Sequence, residues 1–225
     1  MVDPLGTVFL FDVDNTLFDN DRFAAELSDR LRTDFGDEEH ERYWQIYARL
    51  RDQLGYADYL SAVQQFRSGL ENHPDLLKLA AHILDYPFAD GLFPRALDAL
   101  RHLGRRGPAV ILSDGDMVLQ PRKIRRSGIW DAVEGRVLVD IHKERELGPL
   151  QMRFPAQHYV MIDDKPQILA AMKTILGTKL TTVFVKQGHY ALDSTKTPIN
   201  PSPDITIDSI GDLLDSNTTT AQVAP

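Results

Sequence analysis

A short apolar run near the N-terminus, followed at once by acidic residues, constrains the fold of this chain more than any other feature. Residues 8–19 read VFLFDVDNTLFD. A continuous apolar run is typical of a strand covered on both faces, as in a parallel sheet flanked by helices, where ligand sites lie at the carboxyl ends of the strands. If the strand continues through Asp14, the side chains of Asp12 and Asp14 share one face and Val13 packs on the other. The segment therefore predicts an acidic pair at the position of an active site.

Two other interpretations of this segment compete with an active site. Asp12, Asp14 and Thr16 imitate the first, third and fifth ligands of an EF-hand calcium loop, but Leu17 replaces the glycine of the sixth position and Phe23 the glutamate of the twelfth. A helix start with acidic capping residues after a core strand fits the segment taken alone. The rest of the chain must distinguish between these possibilities.

Composition limits the classes of protein to consider. The chain has 225 residues, 43% of them hydrophobic, which is enough for one domain or one domain with an insertion. No apolar run approaches the roughly 18 residues needed to cross a bilayer, and no basic leader precedes the first run, so we expect no membrane partner and a cytoplasmic location. The absence of cysteine excludes disulfides and thiolate chemistry. A net charge of −8 gives no long-range attraction for nucleic acid, and no nucleic-acid partner is expected. The oligomeric state is not readable from the sequence.

One basic cluster departs from the acidic balance. It comprises Arg122, Lys123, Arg125 and Arg126. A cluster of this kind on a predicted helix is typical of a solvated face, so we expect these four side chains to lie in solvent.

The pattern of apolar residues divides the chain into two regions. Residues 21–85 show helical periodicity with no convincing strand, including helices predicted at 59–67 and 74–84, and indicate a small bundle over the end of the first strand. From residue 93 onward helices and strands alternate, which favours a parallel sheet with right-handed crossovers. Strands are predicted at 8–11, 109–112, 136–139, 158–162 and 180–185, and helices at 95–103, 120–126, 144–152 and 166–176. A loop at 187–203, a short helix at 209–214 and a disordered tail at 216–225 complete the chain.

Three further predicted strands end at polar residues suited to phosphate chemistry. The strand at 109–112 is followed by Ser113, the next leads to Lys143, and the strand at 158–162 is followed by Asp163 and Asp164. Each has an ordinary explanation as a helix cap or a solvated charge. As an ordered set on successive strands they indicate one site.

These segments resemble, in order, the four motifs of the haloacid dehalogenase superfamily. The matching residues are DVDNT at 12–16, ILS at 111–113, HK at 142–143 and MIDD at 161–164, so that the resemblance spans about residues 8–185. It implies an α/β fold in which residues 1–17 and 88–215 form a Rossmann-like core, with a parallel sheet of about five strands flanked by helices. Residues 18–87 are then an inserted all-α cap domain.

The resemblance also implies roles for four catalytic residues. Asp12 is the expected nucleophile, which attacks phosphorus to form an aspartyl phosphate that water hydrolyses. Asp14 is the expected general acid for the leaving alcohol and then the base for water. Lys143 bridges Asp12 and the phosphate, and Ser113 donates a hydrogen bond to a phosphoryl oxygen.

A cation is expected because a phosphate dianion is repelled by a site with several carboxylates. Hard oxygen ligands indicate Mg²⁺. By resemblance, its ligands are Asp12, the backbone carbonyl of Asp14 and Asp164, with Asp163 helping directly or through water.

Asp14 favours a phosphatase or phosphomutase, because the dehalogenases of the superfamily have no acid at that position. The expected partner is a small-molecule phosphate ester, since a closed cap excludes water and large substrates. The residues predicted to contact the substrate are Thr16, Phe18, Asn20, Asp114 and Gly115. A phosphomonoesterase is the leading hypothesis; a phosphomutase with the same site and a non-catalytic binding protein with this fold are the alternatives.

Overall fold

The N-terminal apolar run forms a central strand of a parallel sheet. The computed structural model describes residues 5–193 and 199–215. The strands in these ranges are β1 (Leu5–Phe11), β2 (Ala109–Asp114), β3 (Val137–Asp140), β4 (Ala156–Asp163), β5 (Leu180–Val185) and β6 (Ile205–Ile207). Their order in the sheet is β3-β2-β1-β4-β5-β6, and every neighbouring pair is parallel.

Helices connect the strands and cover both faces of the sheet. Those between β1 and β2 are α1 (Asn20–Phe35), α2 (Asp37–Leu54), α3 (Tyr59–Phe66), α4 (Asp75–Leu84) and α5 (Ala96–Gly104). Those that follow are α6 (Leu119–Arg126), α7 (Ile129–Ala132), α8 (Leu147–Arg153), α9 (Pro166–Leu176) and α10 (Gly188–Asp193). The predicted α/β architecture with an all-helical insertion after the first strand is confirmed. In the described ranges no helix combines the length and the apolar character needed to cross a bilayer.

Alternate residues of β1 face the two sides of the sheet. Phe9 and Phe11 belong to the hydrophobic cluster that also contains the buried residues of α1–α5. Val8 and Leu10 belong to a second cluster, with buried residues of α8 and α9. This burial on both faces explains why the run is apolar at every position rather than at every second one.

The chain turns immediately after β1. The strand ends at Phe11, as predicted, so the condition for aligning Asp12 with Asp14, a strand that continues through Asp14, is not met. The N–H of Leu17 donates to the carbonyl of Val13 (2.9 Å), and Asn15 has a φ of 59°, both of which belong to a tight turn rather than to a strand. Strand alternation therefore does not align Asp12 with Asp14, and each carboxylate has surroundings of its own.

Two short elements lie where none was predicted. β6 adds a sixth strand where about five were expected, and α10 lies in the region predicted as a loop. β6 has three residues, too few to show alternation, and is anchored by Asp204, whose carboxylate accepts hydrogen bonds from the N–H of Thr182 (2.8 Å) and from Lys173 (2.8 Å). The helix predicted at 144–152 is a 3₁₀ turn followed by α8, and the one at 209–214 is a 3₁₀ helix. The predicted tail at 216–225 lies outside the described residues.

Candidate active site

Asp12 lies at the carboxyl end of β1 in an enclosed position. It is 3% exposed, and its N–H donates to the carbonyl of Ile162 on β4 (3.0 Å). The ammonium group of Lys143 donates to Oδ1 of Asp12, whereas Oδ2 accepts a long hydrogen bond from the hydroxyl of Thr16 (3.4 Å). One oxygen of the carboxylate is therefore paired with a cation, and the other has a weak partner.

Lys143 brings a positive charge into the interior. Its side chain has no exposed surface, and its Nζ also lies 2.7 Å from Oδ2 of Asp163. Burial acts to lower the pKa of an ammonium group, but the charges of Asp12, Asp163 and Asp114 outweigh it and raise the pKa of Lys143 above its usual value. Lys143 therefore stays protonated and fixes the position of the Asp12 carboxylate.

Three buried carboxylates converge beside this ion pair. One oxygen each of Asp12, Asp163 and Asp164 lies within 4.8 Å of the others. Within residues 5–193 and 199–215, neither carboxylate oxygen of Asp164 has a hydrogen-bond partner. Burial, together with the charges of Asp163 and Asp12, raises the pKa of Asp164 to about 9. Buried carboxylates are unfavourable without compensating charge, and a set of three hard oxygen donors fits a divalent cation such as Mg²⁺.

Thr16 joins the two acidic segments. Its hydroxyl donates to Asp12 and accepts a hydrogen bond from the N–H of Asp164 (3.0 Å). The side chain is fully buried. The structure thus places this predicted substrate contact beneath the site, where it holds the loop after β1 against the end of β4.

The end of β2 supplies the next predicted residues. Ser113 is buried, and its hydroxyl accepts a hydrogen bond from Nε2 of Gln120 (2.9 Å). The carboxylate of Asp114 accepts from the N–H of Lys143 (2.7 Å), and burial raises the pKa of Asp114 to about 6. Gly115 donates its N–H to the carbonyl of Asp140 (3.1 Å). These bonds align the ends of β2 and β3, so that the four predicted segments meet at one edge of the sheet.

Comparison with known proteins fits this arrangement. The family described as "Hydrolase: haloacid dehalogenase-like hydrolase" matches residues 7–183, which contain the acids, the serine and the lysine of the site. The chain belongs to the haloacid dehalogenase-like hydrolases. No curated protein sequence matches the chain.

Solved structures show the same fold over nearly the whole chain. A protein of Burkholderia xenovorans described as a haloacid dehalogenase-like hydrolase is 53% identical, with a TM-score of 0.88, over 96% of this chain and 100% of that one. L-2-haloacid dehalogenase from Xanthobacter autotrophicus is 18% identical, with a TM-score of 0.61, over 92% of this chain and 96% of that one. The hydrolase YfnB from Bacillus subtilis, bound to magnesium, is also 18% identical, with a TM-score of 0.60 and the same coverage. The last two share the fold alone.

Asp14 of this haloacid dehalogenase-like hydrolase is held by helix α6 rather than by the acidic cluster. Nζ of Lys123 donates to Oδ1 of Asp14, and Nε2 of Gln120 lies 3.3 Å from Oδ2. The Asp14 side chain is 22% exposed, whereas that of Lys123 is 1% exposed. Asp14 therefore borders solvent while its orientation is fixed from within the protein.

The interpretation of the basic cluster as a solvated face is wrong for Lys123. Lys123 is buried against Asp14, and its ammonium group lies 5.0 Å from the ring centre of Phe18. Arg122 pairs with Asp85 (2.6 Å) at the end of α4. Lys123 is thus enclosed, whereas the side chain of Arg122 is 39% exposed and its ion pair lies at the surface.

A cavity of about 220 Å³ lies next to Asp14 and Asp114. Of the predicted substrate contacts, Asn20 and Asp114 line it. Phe18 does not; it is fully buried, with its ring packed near Tyr86 and Phe88. Thr16 and Gly115 are not among the lining residues either.

A polar network ties the start of α1 to α10 at one side of this cavity. The side-chain oxygen of Asn15 accepts from the N–H groups of Asn20 (3.1 Å) and Asp21 (3.2 Å). Asp21 in turn accepts from the N–H of His189 (2.7 Å) and contacts its ring nitrogen (2.6 Å). Gly188 approaches Asn15 so closely that an added Cβ would lie 2.5 Å from it. The loop after β1, the helical insertion and α10 are therefore one connected unit.

The residues at this site that were not predicted from the sequence include Gln120, Lys123, Lys165, His189 and Tyr190. A signal existed for Lys165, which directly follows the acidic pair; the charge of Asp12 raises its pKa despite burial. A signal also existed on α6, because Gln120 and Lys123 recur at helical spacing with the buried Leu119 and Ile124.

Proposed function

We propose that the chain is a Mg²⁺-dependent phosphomonoesterase that hydrolyses a small phosphate ester through a phosphorylated Asp12. The observation that carries this proposal is the buried cluster of Asp12, Asp163 and Asp164, in which the two oxygens of Asp164 have no hydrogen-bond partner among the residues that the structure describes. Carboxylates in this arrangement require a cation, and a phosphate dianion approaching Asp12 requires one as well. The fold alone, shared with a dehalogenase, does not decide between substrates.

In this mechanism Asp12 supplies the nucleophile. Its carboxylate oxygen attacks phosphorus, the bond between phosphorus and the leaving oxygen breaks, and water later cleaves the resulting acyl phosphate. Lys143 orients Asp12 and offsets charge on the phosphoryl oxygens, and Ser113 donates a hydrogen bond to one of them. A bound Mg²⁺ would supply further charge neutralisation, held by Asp12, Asp163 and Asp164, with the carbonyl of Asp14 as the remaining proposed ligand.

Asp14 is the proposed general acid and general base. Its carboxyl group lies at the edge of the cavity, where a leaving oxygen can reach it, and Lys123 and Gln120 hold its orientation. It protonates the leaving alcohol in the first step and takes a proton from water in the second. We propose that the helical insertion, residues 18–87, is the cap that closes over this step and that the remainder through residue 215 is the core.

The proposal is tested by Asp12→Asn. Turnover of p-nitrophenyl phosphate should fall at least about 1,000-fold because an amide cannot serve as the nucleophile. Asp52→Asn, which makes the same change at an exposed position of α2, should keep full activity. Circular dichroism should show that both variants remain folded.

Two outcomes would contradict the proposal. Full activity of Asp12→Asn would exclude the covalent mechanism, and undiminished wild-type activity after chelation of divalent cations would exclude the role of the metal. Assays with sugar phosphates separate the mutase, because release of inorganic phosphate without an isomeric product excludes it. Chloride release from 2-chloropropionate without any phosphatase activity would indicate a dehalogenase instead.

A further inference from the structure

The cavity beside Asp14 has an aromatic wall contributed from two directions. Its aromatic lining residues are Trp44, Tyr47, Tyr56, Tyr59 and Tyr190. The first four belong to the helical insertion, and Tyr190 comes from α10, after the last long strand. Rings therefore face the cavity from both the insertion and the core.

The rings on the insertion side hold a fixed arrangement. Tyr47 and Tyr59 stack with their ring centres 4.7 Å apart, and Trp44 meets Tyr47 edge-on at 5.2 Å. The hydroxyl of Tyr59 accepts a hydrogen bond from the amide of Asn20 (3.2 Å), which joins the wall to the loop after β1. Such a wall is pre-organised, so a ligand that stacks on it does not have to order it.

These rings are not simply the core of the insertion. The core aromatic residues, such as Tyr43 and Phe66, are fully buried. By contrast, Trp44, Tyr47 and Tyr190 keep part of their surface accessible. A substrate can therefore pack against the accessible surface of these rings, beside Asp14.

The free space suits one ring. Small residues, Ala24, Gly55 and Ala57, lie among the aromatic ones and leave room between them. The volume is about 220 Å³, and a cavity of roughly 150 Å³ accommodates benzene. A single six-membered ring with a short linker therefore fits, whereas drug-sized ligands need about 300 Å³ or more.

The polar end of the cavity fixes the direction of such a ligand. Asp14 and Asp114, which neighbour the proposed phosphoryl-transfer site, and Lys165 are lining residues. The other polar lining residues are Asn15, Asn20, Asp21, Arg51 and His189. The ammonium group of Lys165 lies 5.0 Å from the ring centre of Tyr190, where the polar and aromatic parts meet. A phosphate ester can thus place its phosphoryl group at the acids and its leaving group among the rings.

We propose that the substrate is a phosphate monoester whose leaving group carries one flat, aromatic six-membered ring, which stacks on the wall formed by Trp44, Tyr47 and Tyr190. This inference rests on the phosphatase function proposed above. A flat ring gains stacking contacts on both the insertion side and the core side, whereas a puckered or acyclic group gains neither.

The test compares benzyl phosphate with cyclohexylmethyl phosphate. Both esters have seven-carbon primary alcohols as leaving groups and differ in the flatness of the ring. We expect kcat/KM to be at least about tenfold higher for benzyl phosphate, the scale of one stacking contact.

Substitutions on the two sides of the cavity test which rings cause the preference for the flat leaving group. Tyr47→Leu and Tyr190→Leu should each reduce the ratio of the two kcat/KM values to below about threefold, and Tyr47→Phe should retain it. Trp130→Leu is the matched control, because that ring lies outside the cavity, against Arg125. Its ratio should equal that of the wild type.

Benzylphosphonate, which has no ester bond to hydrolyse, provides a measurement of ring binding that does not depend on turnover of the ring-bearing ligand or on the stability of any one variant. It should inhibit p-nitrophenyl phosphate hydrolysis at least about tenfold more strongly than cyclohexylmethylphosphonate. Equal kcat/KM values for the two esters would overturn the ring inference while leaving the phosphatase function intact. Absence of hydrolysis of both esters and of p-nitrophenyl phosphate would instead remove the function on which the inference rests.

Discussion

At the scale of single residues, the two acids of the first loop have different environments. Asp12 is enclosed and paired with Lys143, whereas Asp14 borders the cavity and is paired with Lys123. A nucleophile benefits from a fixed carboxylate shielded from water, and a proton donor and acceptor must reach a group that arrives from outside. The two ion pairs therefore separate the proposed roles without any difference in residue type.

Lys123 is expected to be a positioning residue for Asp14. Lys123→Met removes the ammonium group that orients Asp14 and should lower kcat for an alkyl phosphate about 10- to 100-fold, with KM changed less than threefold. The loss should be smaller for p-nitrophenyl phosphate, whose leaving group needs little help from a proton. Steady-state kinetics on the two substrates measures this difference.

Arg125→Met is the control for this prediction. It removes the same charge from the same helix at an exposed position, against Trp130, and should leave both activities unchanged. Equal losses on both substrates in Lys123→Met would show a merely structural role for the lysine.

At the scale of elements, the strand ends were predictable and the helix contacts were not. The carboxyl ends of neighbouring parallel strands share one edge of the sheet, and this brings together Ser113, Lys143 and Asp163. Apolar runs in the sequence predict these strands and therefore also their ends. The burial of Lys123 depends on which elements enclose α6, and a charged residue on a helix gives no sign of this in the sequence. The short elements α10 and β6 have too few residues for a periodic pattern, so Tyr190 could not be assigned to the site.

The contact between α10 and the loop after β1 gives a prediction at this scale. Gly188 has a φ of +70°, and a Cβ there would lie 2.5 Å from Asn15, which hydrogen bonds hold in place. Gly188→Ala should therefore destabilise the fold by more than the roughly 1–2 kcal/mol of a left-handed backbone alone, and should lower kcat/KM by displacing Asn15. Urea unfolding and kinetics measure both effects.

Gly36→Ala separates backbone strain from this contact. Gly36 has a similar φ of +85°, but no atom of residues 5–193 and 199–215 lies within 4 Å of an added Cβ, so that variant should lose stability and keep its activity. If Gly188→Ala lost no more stability and no more activity than Gly36→Ala, the contact of Gly188 with Asn15 would have no role in stability or in catalysis.

At the scale of the whole molecule, the acidic cluster lowers the free energy of unfolding of the metal-free protein. Asp164 is buried without a hydrogen-bond partner in the described part of the chain, next to two other carboxylates. Burial of like charges opposes folding, and a bound cation removes that opposition. Metal binding and global stability are therefore expected to be coupled.

Mg²⁺ should accordingly raise the melting temperature of the wild-type protein. At about 100 times the dissociation constant, the gain in the free energy of unfolding is about 2.7 kcal/mol, or several degrees for a chain of this length. Asp164→Asn should abolish most of this increase and should melt no lower than the metal-free wild type, since it replaces a buried carboxyl group that is costly to ionise in the metal-free fold by a neutral amide. Differential scanning calorimetry with and without Mg²⁺ measures both quantities.

The control for the metal prediction is again Asp52→Asn, which should respond to Mg²⁺ as the wild type does. An unchanged Mg²⁺ response in Asp164→Asn would exclude Asp164 as a ligand. An equal response of the wild type to Na⁺ at the same ionic strength would point to general screening rather than to a specific site.

The central position of β1 also has a consequence for biosynthesis. One edge of this strand pairs with β4, where Leu5 is in register with Ala156 and Thr7 with His158. During vectorial synthesis this apolar strand leaves the ribosome long before β4 has been synthesised, and pairings so distant in sequence form slowly. The nascent chain is expected to need shielding of its N-terminal segment until about residue 163 has emerged, and the catalytic centre is completed only when that last central strand is inserted.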